Sequence, residues 1–127
     1  MRDNADVARS WLRKADSDLA NAELCLAAGK SLDTACFHCQ QAAEKAIKAY
    51  LIAEGVEFPF IHDLKRLLEY CLATDAAFEA LTADALCLNP FAVMTRYDDA
   101  FWPEAEEVQQ AVDAARNIRR FVSERFS

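Results

Sequence analysis

The chain has only two glycines and three prolines among its 127 residues, which leaves few residues for the turns of an all-β protein. It also lacks a run of about 18 apolar residues that would span a membrane, and its first ten residues lack the apolar core of a signal peptide. We therefore expect a cytoplasmic protein that does not enter a membrane. A chain of this length can bury one hydrophobic core, so residues 1–127 are predicted to form a single domain.

Basic residues are also in the minority, since 14 lysines and arginines against 21 aspartates and glutamates give a net charge of −7. Proteins that bind bulk DNA draw much of their affinity from a positively charged surface. Broad DNA binding is therefore not expected, although a local basic stripe can still bind an anion.

The cysteines form an odd set of five, mostly at apolar helix positions, which favours reduced thiols over a disulfide framework. Cys36 and Cys39 have a metal-ligand spacing next to His38. That histidine points away from the pair on a continuous helix, however, and no second cysteine pair completes a four-ligand zinc site. Acidic residues before the last helix suit a helix start without a cation: Asp98, Asp99, Glu104 and Glu107. No metal and no cofactor is expected.

The strongest helix signal covers residues 31–55, where Ser31 suits the N-cap and Gly55 a left-handed C-terminal position. Small apolar residues recur there at three- and four-residue spacing and predict a buried face: Leu32, Ala35, Cys39, Ala43, Ala46 and Tyr50. A second stripe with the same spacing carries hydrogen-bond donors and positive charge: His38, Gln41, Lys45 and Lys48.

A first helix is predicted from Asn4, as its N-cap, to Ala28, with Gly29 as its stop. Its apolar residues follow a near-heptad repeat, which favours a long antiparallel partner. Because the junction after Gly29 is short, we expect the helix over residues 31–55 to be that partner.

The loop over residues 55–63 is unusually apolar and is expected to fold back on the bundle. Three of its side chains should pack there: Phe58, Phe60 and Ile61. Asp63 or His62 is expected to cap a short third helix that follows the loop.

From Thr74 a helical pattern runs to Tyr97, and Pro90 interrupts it. Proline inside a helix costs roughly 3 kcal/mol, so a kink or break is expected. A structured loop over residues 95–103 should then lead into a last helix, with Pro103 in its first turn. The fold class predicted from these elements is an all-α, up-and-down bundle of four to five helices.

Three pieces of sequence together resemble the HEPN family (higher eukaryotes and prokaryotes nucleotide-binding domain). They are CFHCQQAAEKAIKA at residues 36–49, HDL at 62–64 and RYD at 96–98. The resemblance covers about residues 5 to 125 and fits the small prokaryotic members. It implies an all-α bundle that is often a homodimer and that is frequently paired with a minimal nucleotidyltransferase in toxin–antitoxin-like modules.

The chain departs from this family at the catalytic motif of its ribonucleases, an arginine followed four to six residues later by a histidine. Counted from Arg96, those positions hold Phe101, Trp102 and Pro103, and no histidine follows anywhere in the chain. The tyrosine that some toxin members place two residues after that histidine, a target of nucleotidylation, is also missing. Small prokaryotic members have Arg-Tyr-Pro-Asp where this chain has Arg-Tyr-Asp-Asp at residues 96–99.

Arg96 and Tyr97, with Asp98 beside them, form the first candidate site. Arginine offers planar donors to a phosphate, and tyrosine offers a ring for stacking on a base. The alternative is a structural role in which Arg96 pairs with a carboxylate such as Glu44 while Tyr97 packs against the loop.

His38 and His62 are the only histidines, so they are the only substitutes for the missing acid–base group. A loop can bring His62 toward Arg96, which favours it over His38. Each also has a structural interpretation, because His38 suits a solvated or interface position on a helix and His62 suits a hydrogen bond at a helix start.

The stripe of Gln41, Lys45 and Lys48 can bind phosphate oxygens or contact a partner. The alternative is a solvated face on which Glu44 and Lys48 form an exposed ion pair worth roughly 0.3–0.5 kcal/mol.

Three functional hypotheses follow. The first is a dimeric interaction module that binds a nucleotide or RNA and pairs with a minimal nucleotidyltransferase. The second is a metal-independent endoribonuclease in which Arg96 works with His62 or His38. The third is a non-catalytic nucleotide-binding domain that uses Arg96, Tyr97 and Lys45.

Overall fold

The computed structural model describes residues 2–126, which form helices and turns without a strand. The helices are α1 (Asn4–Ala28), α2 (Leu32–Ala53), α3 (Leu64–Leu72), a 3-10 helix (Ala76–Leu81), α4 (Thr82–Leu88), α5 (Phe91–Tyr97) and α6 (Ala105–Ser123). The predicted all-α bundle is confirmed. Because the 3-10 helix, α4 and α5 follow one another with few residues between them, they act as one broken fourth member of a five-membered bundle.

Helices α1 and α2 form the most extensive contact in the fold. One side of α1 is buried at three- and four-residue spacing: Ala8, Leu12, Ala15, Leu19 and Ala22. Gly29 ends α1 in the left-handed conformation, with φ at 65°, as predicted. The predicted cap is wrong by one residue, because Asp3 caps the helix by accepting a hydrogen bond from the Asp6 N–H at 2.9 Å.

Helix α2 is the centre of the bundle, since α1, α3, α4, α5 and α6 all contact it. Its predicted small-residue face is buried, and Gly55 adopts the predicted left-handed backbone with φ at 69°. Ser31 is not a side-chain cap as predicted. It lies at φ 54°, where its carbonyl accepts from the Thr34 hydroxyl and the Ala35 N–H.

The loop over residues 55–63 folds back only in part. Phe58 and Ile61 pack against the core, but the side chain of Phe60 is 87% exposed, so the prediction for Phe60 is wrong. Asp63 caps α3 as predicted, accepting from the N–H groups of Lys65 and Arg66.

Pro90 breaks the fourth member between α4 and α5, as predicted. Contrary to the expectation from the sequence, Ala76–Tyr97 is long and apolar enough to cross a membrane by length and composition alone. In the fold this segment is divided into three short helices. Several of its apolar side chains lie in the core of the bundle, as in a core segment of a globular domain: Phe78, Leu81, Ala85 and Leu88.

Helix α6 begins at Ala105 with Glu104 as its N-cap, so Pro103 lies just before the helix and not in its first turn. Two arginines of α6 form ion pairs with acidic residues of α1. Arg116 donates to Glu23 at 2.8 Å, and Arg119 donates to both oxygens of Asp16 at 2.7 and 3.1 Å.

All five thiols are free. Burial raises the pKa of Cys36, Cys39 and Cys71 to about 12, so these three remain protonated at neutral pH.

Candidate functional site

Arg96 lies in the last turn of α5, and its guanidinium lies close to two aromatic rings. Its central carbon is 5.7 Å from the ring centroid of Phe37 on α2 and 5.6 Å from that of Tyr97. Its Nε donates to the carbonyl of Ala92 at 2.9 Å, which fixes the side chain along α5. The side chains of Arg96 and Tyr97 are exposed, with Tyr97 at 76%.

Within residues 2–126, no carboxylate oxygen lies within 4.0 Å of the Arg96 guanidinium. The predicted alternative, an ion pair between Arg96 and Glu44, is therefore wrong. Asp98 is exposed and accepts a hydrogen bond from the N–H of Ala100 at 3.0 Å, so it shapes the loop after α5. The two terminal nitrogens of Arg96 remain available for an anion, with aromatic rings beside them.

His62, and not Arg96, contacts the carboxylate of Glu44. Its Nδ1 lies 3.1 Å from each oxygen of Glu44, while 44% of the His62 side chain is exposed. A histidine whose Nδ1 is bound to a buried carboxylate has its ring orientation fixed and its Nε2 directed elsewhere. This arrangement suits proton transfer or hydrogen bonding at Nε2.

Glu44 is the centre of a buried polar network that periodicity did not predict. It accepts hydrogen bonds from Gln40 at 3.2 Å, from Gln41 at 3.5 Å and from the Lys48 ammonium at 3.1 Å. Gln40, Glu44 and Lys48 are all buried. Gln40 also donates to the carbonyl of His62, so the network anchors the end of the loop to α2.

The predicted solvated face of α2 is therefore wrong at Lys48. Its ion pair with Glu44 exists, but it is buried, because the loop covers it and the exposed ring of Phe60 lies 5.3 Å from the Lys48 ammonium. Removing one partner of a buried pair typically costs about 3–5 kcal/mol, far more than an exposed helix pair contributes. Lys48 is thus an internal residue and not a surface contact.

His38 and Lys45 point to the α1 side of α2. His38 Nδ1 lies 2.9 Å from one oxygen of Asp18, and the Lys45 ammonium lies 2.6 Å from the other. The side chains of His38 and Lys45 are partly buried, and that of Asp18 is more deeply buried than either. His38 therefore occupies a helix–helix interface, as its structural interpretation predicted, and Lys45 belongs to the same cluster.

His62 lies beside α5, the helix that carries Arg96. His62 and Ala92 line one cavity of about 190 Å³, and Arg96 lies one helical turn beyond Ala92, to whose carbonyl it is bonded. The fold thus places the loop histidine and the arginine along the same short helix, whereas His38 binds Asp18 on α1.

Phe37 is a contact of Arg96 that the sequence pattern does not predict. It lies in the quoted motif, directly before His38, but its position alone indicates no more than a packing residue. At the positions where family ribonucleases have a histidine, Phe101 is buried against Phe91, with ring centroids 5.7 Å apart, and Trp102 is exposed.

A family model described as the HEPN domain matches residues 8–125. The chain is similar to the crystal structure of TT1696 from Thermus thermophilus, with 34% sequence identity and a TM-score of 0.81, covering 92% of this chain and 96% of that one. It is also similar in fold to ST0689, an archaeal HEPN homologue, with 24% identity, a TM-score of 0.77 and full coverage of both chains. No curated protein matches it. The helical bundle described above and the family match over most of its length agree, and the chain belongs to the HEPN domain family.

Proposed function

We propose that this HEPN domain is a cytoplasmic interaction module that binds the phosphate of a nucleotide or RNA at Arg96. The observation that carries this proposal is an exposed guanidinium 5.7 Å from the ring centroid of Phe37 and 5.6 Å from that of Tyr97, without a carboxylate within 4.0 Å among residues 2–126. An arginine held in this way retains its terminal donors for phosphate oxygens. The exposed ring of Tyr97 offers a base a surface on which to stack.

The proposed module is a homodimer that pairs with a minimal nucleotidyltransferase. Support for a protein contact comes from large apolar side chains that are exposed on α4, α5 and the loop after α5: Leu86, Val93 and Trp102. Where such side chains adjoin one another, they form the kind of exposed apolar patch that is typical of protein–protein contacts. The identity of the partner enzyme rests on the family resemblance, and a neighbouring reading frame with a Gly-Ser and paired-aspartate pattern would support it.

Calorimetric titration with ATP and with a short single-stranded RNA tests the binding site. The variant R96A should weaken binding about tenfold or more, because hydrogen bonds to charged groups contribute about 1.5–3 kcal/mol each. The matched control is R13A, which removes an exposed arginine from α1 that has no carboxylate within 4.0 Å among the described residues. Equal binding by R96A and R13A would rule out the site.

A second candidate function is metal-independent RNA cleavage by Arg96 and His62. The specific observation in its favour is the fixed imidazole of His62, held by Glu44 beside the helix that carries Arg96. Cleavage of single-stranded RNA in EDTA should then be lost in both R96A and H62A and retained in H38A. Loss in H38A with retention in H62A would assign the acid–base role to His38, and no cleavage by the wild type would reject this candidate.

A further inference from the structure

A cavity of about 360 Å³ lies between α1 and α2, and Ser10, Trp11, Lys14 and Lys45 line it. It combines an indole ring, a hydroxyl group and two ammonium groups. None of these side chains belongs to the Arg96 site or to the Glu44 network. The cavity is of a size that small ligands occupy, since ligand sites begin at about 300 Å³.

The two lysines differ in how they are held. Lys45 is fixed by Asp18 at 2.6 Å, whereas Lys14 is exposed and has no carboxylate within 4.0 Å among residues 2–126. An ammonium group has three donors, and Asp18 occupies one of those on Lys45. Lys45 can therefore donate to a second anion while Asp18 keeps it in place.

The charge around this cavity is opposite in sign to that of the whole chain. Lys14 and Lys45 contribute two positive charges and Asp18 one negative charge, in a protein whose net charge is −7. Trp11 packs partly against the core and so forms a wall of low polarity. Next to such a wall, attraction between an ammonium group and an anion is stronger than in bulk water.

We propose that the cavity between Trp11, Lys14 and Lys45 binds a small phosphate monoester. Its phosphate oxygens accept hydrogen bonds from the Lys14 and Lys45 ammonium groups. Its carbon skeleton covers the indole of Trp11. The site is separate from Arg96 and does not depend on the function proposed for that residue.

The fluorescence of Trp11 tests this proposal directly. The chain has two tryptophans, so the variant W102F leaves Trp11 as the only one. In that background, titration with ribose 5-phosphate should produce a saturable change in emission, and inorganic phosphate should bind more weakly because it does not cover the indole. The same titration with sodium chloride controls for ionic strength.

The variant K14A, made in the W102F background, should weaken ribose 5-phosphate binding about tenfold or more, as expected for a lost hydrogen bond between charged groups. K30A is the matched control, because Lys30 is an exposed lysine just beyond the C-terminal end of α1 and does not line the cavity. R96A, made in the same W102F background, should bind ribose 5-phosphate as tightly as W102F alone. This result would separate the cavity from the proposed nucleotide site. Equal binding by K14A and K30A would overturn the proposal. An emission change that depends only on salt concentration would also overturn it. An emission change that depends on protein concentration would overturn it too, by showing that a second copy of the chain covers the cavity.

Discussion

The imidazole of His62 lies with its Nδ1 3.1 Å from both carboxylate oxygens of Glu44, although the two residues belong to a loop and to the middle of α2. The carboxylate is buried and the ring is partly exposed. Glu44 on the central helix thereby fixes His62, and the loop that contains His62 covers Lys48. The geometry of the candidate site and the stability of the fold therefore depend on the same carboxylate.

Replacing Glu44 with glutamine should strongly destabilise the protein. The variant E44Q keeps the size of the side chain but leaves the Lys48 ammonium buried without a counter-charge. Loss of one partner of a buried pair costs about 3–5 kcal/mol, which urea denaturation monitored by circular dichroism measures. The control is E69Q on the exposed side of α3, expected to change the unfolding free energy by less than about 0.5 kcal/mol. Similar values for both variants would show that the buried pair contributes little.

Phe60 is exposed and Lys48 is buried for the same reason, because the loop over residues 55–63 lies across α2 at Lys48. The periodicity of the sequence does not predict this. The spacing of apolar residues predicts which side of α2 packs, because helix packing repeats with the helical turn. A loop has no such repeat. Residues 55–63 place the ring of Phe60 over Lys48 and direct His62 to Glu44, and only the folded path of the chain decides this.

The helices themselves were predictable for a physical reason. Apolar repeats, the stop at Gly29 and the break at Pro90 each act locally, and all three are found where predicted. The cap of α1 was missed by one residue, because Asp3 and Asn4 are both good N-caps.

The Asp63 cap should make stability depend on pH. Burial raises the pKa of Asp63, but hydrogen bonds from Asn89 and from two backbone N–H groups outweigh this, so the pKa lies below its ordinary value. A carboxylate with a lowered pKa stabilises the fold above its ordinary pKa, and this contribution is lost as the pH falls through the native value. D63A should therefore cost about 0.5–2 kcal/mol at pH 7, and its difference from the wild type should shrink below pH ~4.

Urea denaturation at several pH values measures this difference. D99A removes another exposed aspartate, which makes none of the hydrogen bonds that Asp63 makes, and should show no comparable loss at pH 7. A difference between D63A and the wild type that stays constant down to pH 2 would contradict a role for the ionised carboxylate.

The thiols should react in an order set by burial and pKa. Cys36, Cys39 and Cys71 are buried and have pKa values of about 12, so almost no reactive thiolate is present at pH 8. Cys87 is exposed, although partial burial and nearby Asp84 raise its pKa as well. Iodoacetamide followed by peptide mass spectrometry should label Cys87 in the native protein and the three buried thiols only in denaturant. Early labelling of Cys36 or Cys39 would show that α2 opens locally.

Phe37 should orient the guanidinium of Arg96 for its proposed anion. The variant F37L keeps an apolar side chain but removes the ring that lies 5.7 Å from the guanidinium carbon. Exposed contacts between a cation and a ring contribute about 0.5–1 kcal/mol. Affinity for ATP, measured by calorimetry, should therefore fall about two- to fivefold, a smaller loss than that expected for R96A.

The matched control is F58L, which makes the same change in a phenylalanine that packs against the core from the loop over residues 55–63. Both variants should change the unfolding free energy by less than about 1.5 kcal/mol, because Phe37 and Phe58 are only partly buried and leucine keeps an apolar side chain at each position. If Phe37 only fills space, F37L and F58L should bind ATP equally well. A loss confined to F37L, with the unfolding free energies matched, would instead assign the ring beside Arg96 to ligand binding, because packing alone does not distinguish the two phenylalanines in this assay.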